Sequence, residues 1–165
     1  MKTAFDEFPM RHGLLYDYSH NQFPTKLYAY TGEPMTFHKS ENTVFVYASA
    51  PTEVLVQSPF GDMIPYTLLA GMYLSGSMVR ILSGKGIAIE RLGYSGQFML
   101  GGPIEQKGRL KYIDGCTDSL LIPPVKYGDP CLNALYFPAG IDQTAHTHPS
   151  MRVGMIVSGK GECVT

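Results

Sequence analysis

The sequence predicts an all-β sandwich or barrel. Short runs of β-branched, aromatic and aliphatic residues recur about every 8–12 residues, with Gly, Pro, Asn, Asp or Ser between them. Gly 18 and Pro 12 in a chain of 165 residues are too many breakers for a helical bundle, since each interior Gly or Pro costs helix stability. The strongest helix signal, Ala70–Tyr73, has Gly71 inside it. Hydrophobic residues at 44% supply a core, and the chain is long enough to bury one.

In chain order, residues 1–40 are rich in aromatics and short of periodicity: Phe5, Phe8, Tyr16, Tyr18, Phe23, Tyr28, Tyr30 and Phe37. They are expected to form an irregular arm across a sheet, with a short strand at Lys26–Tyr30. Thr43–Tyr47 and Glu53–Gln57 read as strands separated by a turn at Ala48–Thr52 that contains Pro51. Tyr66–Leu74 and Met78–Leu82 follow, then Ile87–Leu92, which alternates apolar and polar between Gly86 and Gly93. Arg109–Ile113 and Ser119–Ile122 flank the turn Asp114-Gly115. Leu132–Phe137 and Met151–Val157 complete the set, and Gly161–Thr165 reads as a strand that simply stops.

Several classes are excluded or disfavoured. The formal charge is −1, with no Lys/Arg cluster, which argues against a nucleic-acid partner. No run of about 18 apolar residues exists, so no membrane span is expected. The N-terminus carries Asp6, Glu7 and Pro9 where a signal peptide needs an apolar stretch. Cys116, Cys131 and Cys163 are odd in number and widely spaced, and read as small buried thiols in a reducing, cytoplasmic setting. Asp114-Gly115-Cys116-Thr117-Asp118 reads as a β-turn rather than a nucleophile site, and Gly101-Gly102-Pro103 precedes no helix, so it is not a phosphate loop.

An internal similarity links the two halves. Arg80-Ile81-Leu82-Ser83-Gly84-Lys85-Gly86 resembles Met155-Ile156-Val157-Ser158-Gly159-Lys160-Gly161, with Ser-Gly-Lys-Gly identical. An apolar strand running into Gly-x-Gly suits a tight hairpin turn, and the repeat suggests duplication.

The arrangement with a metal-ligand pattern is His146-Thr147-His148. On a strand, residues i and i+2 share a face, so both imidazoles would project together, and two neutral imidazoles suit a first-row transition metal. Gly140 is followed by five residues, His146-x-His148, three residues, Arg152, six residues and Gly159. This run resembles the first conserved motif of the cupin superfamily, Gly-x5-His-x-His-x3-Glu-x6-Gly, with every spacing kept. The resemblance implies a cupin-type jelly-roll barrel, with His146 and His148 as ligands of a divalent transition metal (Fe, Mn, Ni or Zn). It also implies Gly140, Gly159 and Gly161 as turn markers.

Two departures accompany the resemblance. Arg152 stands where the family has its glutamate, and a guanidinium repels a cation instead of ligating it. Arg152 could instead bind an anionic substrate beside the metal. The family's second motif, which supplies a further histidine, has no counterpart in the six residues after Gly159. A third ligand would then come from Gln143, from a carboxylate elsewhere, or from His12, His20 or His38. Shifted back by the repeat, His146 falls on Gly71 and His148 on Tyr73, so the first half carries no metal site.

The expected organisation is an arm (1–40), a metal-free cupin-like barrel (41–122) and a partial second barrel (123–165) bearing the His-x-His motif. The expected function is a cupin-domain protein acting on a small organic molecule through the metal. The alternative is a non-catalytic small-molecule-binding or structural cupin. Strand edges left by a partial barrel predict a homo-oligomer.

Overall fold

Thr43–Ala48 is an unbroken run of β-formers, and a strand apolar on both sides must be covered on both sides. The rest of the fold supplies those covers. The computed structural model describes residues 5–163. Among the described residues the strands are β1 (Gly13–Asp17), β2 (Thr25–Thr31), β3 (Met35–Phe37), β4 (Thr43–Ala48), β5 (Thr52–Gln57), β6 (Met63–Leu68), β7 (Tyr73–Gly76), β8 (Val79–Ser83), β9 (Lys85–Arg91), β10 (Met99–Gly101), β11 (Leu110–Lys111), β12 (Thr117–Ile122) and β13 (Leu132–Tyr136). A single 3-10 turn, Ile113–Gly115, lies between β11 and β12. No helix among the described residues is long and apolar enough to cross a membrane.

Eight strands are nested antiparallel pairs: β5 with β6, β4 with β7, β3 with β8 and β2 with β9. Further antiparallel pairings of β4 with β9 and β5 with β8 join these pairs into two sheets. The six-stranded sheet runs β1-β2-β9-β4-β7-β10, and the four-stranded sheet runs β3-β8-β5-β6. Strands alternating between two sheets in this nested order are jelly-roll-like. A separate three-stranded sheet runs β11-β12-β13.

The inner core lies between the two larger sheets. Val44, Val46 and Ala48 of β4 meet Val54 and Val56 of β5 and Val79 and Ile81 of β8, with Leu68 and Leu74 closing the cluster. Burying each such Val, Leu or Ile contributes roughly 1.5–3 kcal/mol. The outer face of the six-stranded sheet presents Phe45, Tyr47, Leu27, Ile87 and Ile89. Phe8, Met10, Tyr94, Ile104, Ile122, Leu132, Val153 and Met155 cover it. Thr43, also buried, ties the Tyr94–Gly96 segment to this face: its hydroxyl donates to the Tyr94 carbonyl (2.7 Å) and accepts from the Gly96 N–H (2.7 Å).

Several sequence expectations are corrected. Residues 1–40, expected as an arm with a short strand at Lys26–Tyr30, contribute that strand as β2, with β1, to the six-stranded sheet and β3 to the four-stranded sheet. The reason is alternation in Thr25–Thr31, which buries Thr25, Leu27 and Ala29 on one side of a paired strand. The single strand expected at Tyr66–Leu74 is two strands in different sheets, β6 and β7. Gly71, at φ +87°, lets the chain turn there, and the Met72 N–H donates to the Leu69 carbonyl (3.0 Å). Arg109–Ile113 shrinks to the two residues of β11 because the 3-10 turn takes its end. Met151–Val157 forms no strand, although Met151, Val153 and Met155 are half-buried while Arg152, Gly154 and Ile156 are exposed. That alternation is what a strand would show, but no neighbour among the described residues offers it a ladder. Of the cysteines only Cys116 is buried; Cys131 and Cys163 are exposed, and all three are free. The strand expected through Thr165 ends on Val164 and Thr165, outside the described residues.

The repeated Ser-Gly-Lys-Gly segments share local backbone but not surroundings. Gly84 and Gly159 both take positive φ, +111° and +86°. The first copy forms the β8–β9 connection, where a Cβ on Gly86 would collide with the Tyr47 carbonyl oxygen and the Tyr30 ring. A Cβ on Gly161 meets nothing within 4 Å. Gly86→Ala should therefore lose about 1–3 kcal/mol or more of stability to overpacking. Gly161→Ala should stay within about 0.5 kcal/mol of the parent. Urea unfolding of the two variants checks the contrast, and equal losses would refute it.

Candidate functional site

The site is built from a turn and an irregular segment that meet across 30 residues of chain. Asp114 (φ +55°) and Gly115 (φ +81°) form a left-handed pair, a conformation that Asp and Gly tolerate better than bulky residues. The turn is closed by the Cys116 N–H donating to the Ile113 carbonyl (3.1 Å) and the Tyr112 N–H to the Cys116 carbonyl (2.9 Å). This orientation lets the Asp114 Oδ2 accept the Thr144 N–H at 2.7 Å. Chiefly because of that bond, the Asp114 carboxyl is held below its ordinary value, with the nearby His146 adding a smaller contribution.

From Thr144 the contacts continue through three side chains. The Thr144 carbonyl accepts from the Nδ1 of His146 (2.8 Å). The Nε2 atoms of His146 and His148 are 3.1 Å apart, with the rings perpendicular and their centroids separated by 4.7 Å. Arg152 donates through a guanidinium nitrogen to the Nδ1 of His148 (2.9 Å). The Tyr112 ring stands edge-on to His146 with centroids 6.3 Å apart.

These partners fix the tautomers. A carbonyl only accepts, so the neutral His146 carries its proton on Nδ1 and keeps a lone pair on Nε2. A guanidinium only donates, so the Nδ1 of His148 is an acceptor and its proton sits on Nε2. The His148 Nε2–H then donates to the Nε2 of His146. His148 is held below the ordinary histidine value by partial desolvation, then by the charge of Arg152, then by His146. A neutral His148 is the form that this chain of bonds requires.

His146, His148 and Arg152, separated in sequence, are thus brought together. All three are exposed and lie outside any strand, whereas the sequence suggested a shared strand face for the two imidazoles. Pro138 and Pro149 bracket the segment, and a proline lacks the N–H that a ladder needs. Gln143 is turned elsewhere, its amide nitrogen 3.5 Å from the Sγ of the buried Cys116. Gly140 takes φ +73° in a turn closed by the Ile141 N–H on the Pro138 carbonyl (3.2 Å). Among the described residues no three or more His, Cys, Asp or Glu side chains gather as a metal cluster. Of the other histidines named as third-ligand candidates, His12, His20 and His38, His12 accepts from the Thr31 N–H (3.4 Å) beside β2.

Sequence reasoning missed Asp114 and Thr144: Thr144 orients His146 through its carbonyl, and Asp114 holds Thr144 through its N–H. Asp-Gly signals a turn, and nothing in that dipeptide signals its partner far along the chain. Comparison with models of known protein families, with curated proteins and with solved structures finds no match to this chain.

The Asp114–Thr144 bond has a pH signature. A carboxyl lowered in the folded state contributes stability above its unfolded value of 3.8, and this is lost as pH falls through the folded value. The Thr144 amide proton should shift in NMR spectra with a midpoint below 3.8, and the transition should vanish in Asp114→Asn. A midpoint at or above 3.8 would refute the bond.

Proposed function

We propose that this chain is a cupin-like jelly-roll protein that binds a divalent transition metal (Fe, Mn, Ni or Zn) through the Nε2 atoms of His146 and His148 and acts on a small organic molecule. The observation that carries the reading is the convergence of the two Nε2 atoms at 3.1 Å. Two nitrogens each about 2.0–2.1 Å from one ion, at roughly 90–110°, lie about 2.8–3.4 Å apart. The donor set thus fits the metal, and the nested strand order fits the proposed fold. Bound there, a metal would supply Lewis-acid chemistry, with water or the small molecule completing its shell. Arg152, released from His148, would offer parallel donors to a carboxylate on that molecule.

A second reading, a non-catalytic small-molecule-binding or structural cupin, is favoured by the absence of a third ligand cluster among the described residues. Metal titration separates the two. The parent chain should take up one equivalent of Zn²⁺ or Ni²⁺, and His146→Ala and His148→Ala should each weaken uptake by at least about 10-fold. Equal, negligible metal in all three removes the metal-dependent reading.

The same proposal includes a homo-oligomer in a reducing compartment such as the cytoplasm, where three free thiols persist. β13 is hydrogen-bonded on one side only, and Leu110, Leu120 and Leu135 are exposed on the three-stranded sheet. Open edges of this kind pair with other strands. Size-exclusion chromatography with light scattering should give a mass at or above twice 18.2 kDa, and a clean monomer would sink the idea.

A further inference from the structure

The His146–His148 pair is asymmetric, and Arg152 is the cause. We propose that Arg152 sets the metal affinity of the pair by locking His148 in the tautomer that cannot ligate; this rests on the metal-binding reading above. His146 is ready to bind: Thr144 holds its Nδ1 proton, leaving the Nε2 lone pair free. His148 is not ready. Its Nδ1 lone pair is engaged by Arg152, so its proton lies on Nε2, the atom that must donate to the ion.

The two states exclude one another. Ligation through the Nε2 of His148 requires a proton on Nδ1, and a guanidinium offers no acceptor to receive that proton in a hydrogen bond. Ligation through Nδ1 is blocked because Arg152 occupies it. A divalent ion must therefore displace Arg152, and it meets the repulsion of that fixed positive charge as well. Arg152 is well placed for this role. Its neighbours Met151 and Val153 are half-buried, Val153 against the outer face of the six-stranded sheet, so the Arg152 side chain is directed outward beside His148.

The test compares the parent chain with Arg152→Met, Arg152→Lys and His146→Ala, using Co²⁺ as the probe and long-range ¹H–¹⁵N NMR of the imidazoles without metal. Arg152→Met keeps the bulk but removes the donor and the charge. It should bind Co²⁺ on the order of 10-fold more tightly than the parent, the size typical of outer-shell partners. Arg152→Lys, with a donor and a charge retained, should bind as weakly as the parent. In the NMR spectra His148 should be protonated at Nε2 in the parent and shift toward Nδ1 in Arg152→Met, a change that a merely structural role would not produce. Co²⁺ bound by the parent and lost in His146→Ala, but bound no more tightly by Arg152→Met, overturns the role of Arg152 and leaves the metal reading standing. So does a parent His148 protonated at Nδ1. No Co²⁺ binding by any of the four chains overturns both.

Discussion

The fold depends on one constraint: the six-stranded sheet is apolar on both faces. All six residues of β4 are buried, so neither face of that strand can meet water. The four-stranded sheet covers one side, which sets the jelly-roll-like pairing of β2 to β9. Among the described residues the other side has no second sheet of comparable size. It is covered piecewise, by Phe8 and Met10 from the N-terminal side, by Tyr94 and Ile104 from the middle, and by Ile122, Leu132, Val153 and Met155 from the C-terminal side.

That piecewise cover determines where the candidate site can be. Val153 and Met155, half-buried, pack against the sheet, and that partial burial contributes energy of the same order as an exposed hydrogen bond, whose net value is about 0.5–1.5 kcal/mol. With Val153 anchored, alternation directs Arg152 away from the sheet and toward solvent. Leu132 and Ile122 likewise hold the ends of β13 and β12, and the short turn before β12 carries Asp114. Apolar packing thus positions two backbone segments, and the polar chain from Asp114 through Thr144, His146 and His148 to Arg152 joins them.

The strands legible in the sequence are those whose pattern is local. β2, β4, β5, β8, β9, β12 and β13 fall within a residue or two of their expected bounds, because β-branched runs bounded by Gly or Pro encode both the element and its ends. The β6–β7 junction was not legible: Tyr66–Leu74 is apolar apart from Thr67, and the positive φ of Gly71 marks the turn between the sheets. β1 and β10 escaped notice because each is an edge strand defined by its one neighbour, not by its own periodicity. The His146–Arg152 spacing was legible as a ligand pattern, while the Arg152–His148 bond was not. Spacing shows which side chains can meet, but hydrogen-bond direction appears only with the partners in place.

The two Ser-Gly-Lys-Gly segments separate local from tertiary determinants in a single chain. Both take the left-handed glycine that the turn needs, so the tetrapeptide encodes its own bend. In the first copy, strands β8 and β9 pair with β5, β3, β2 and β4, and the glycine at position 86 is crowded from two sides. In the second, Ile156 and Val157 are exposed and no ladder forms among the described residues. The residues next to the site are consequently held by Val153 and Met155 and by a few exposed hydrogen bonds, with little packing beyond them. The inner cluster of the jelly-roll-like core is built from earlier segments of the chain, Tyr30 to Ala88. The proposed tautomer lock at position 152 is thus placed apart from the packing that holds the fold together.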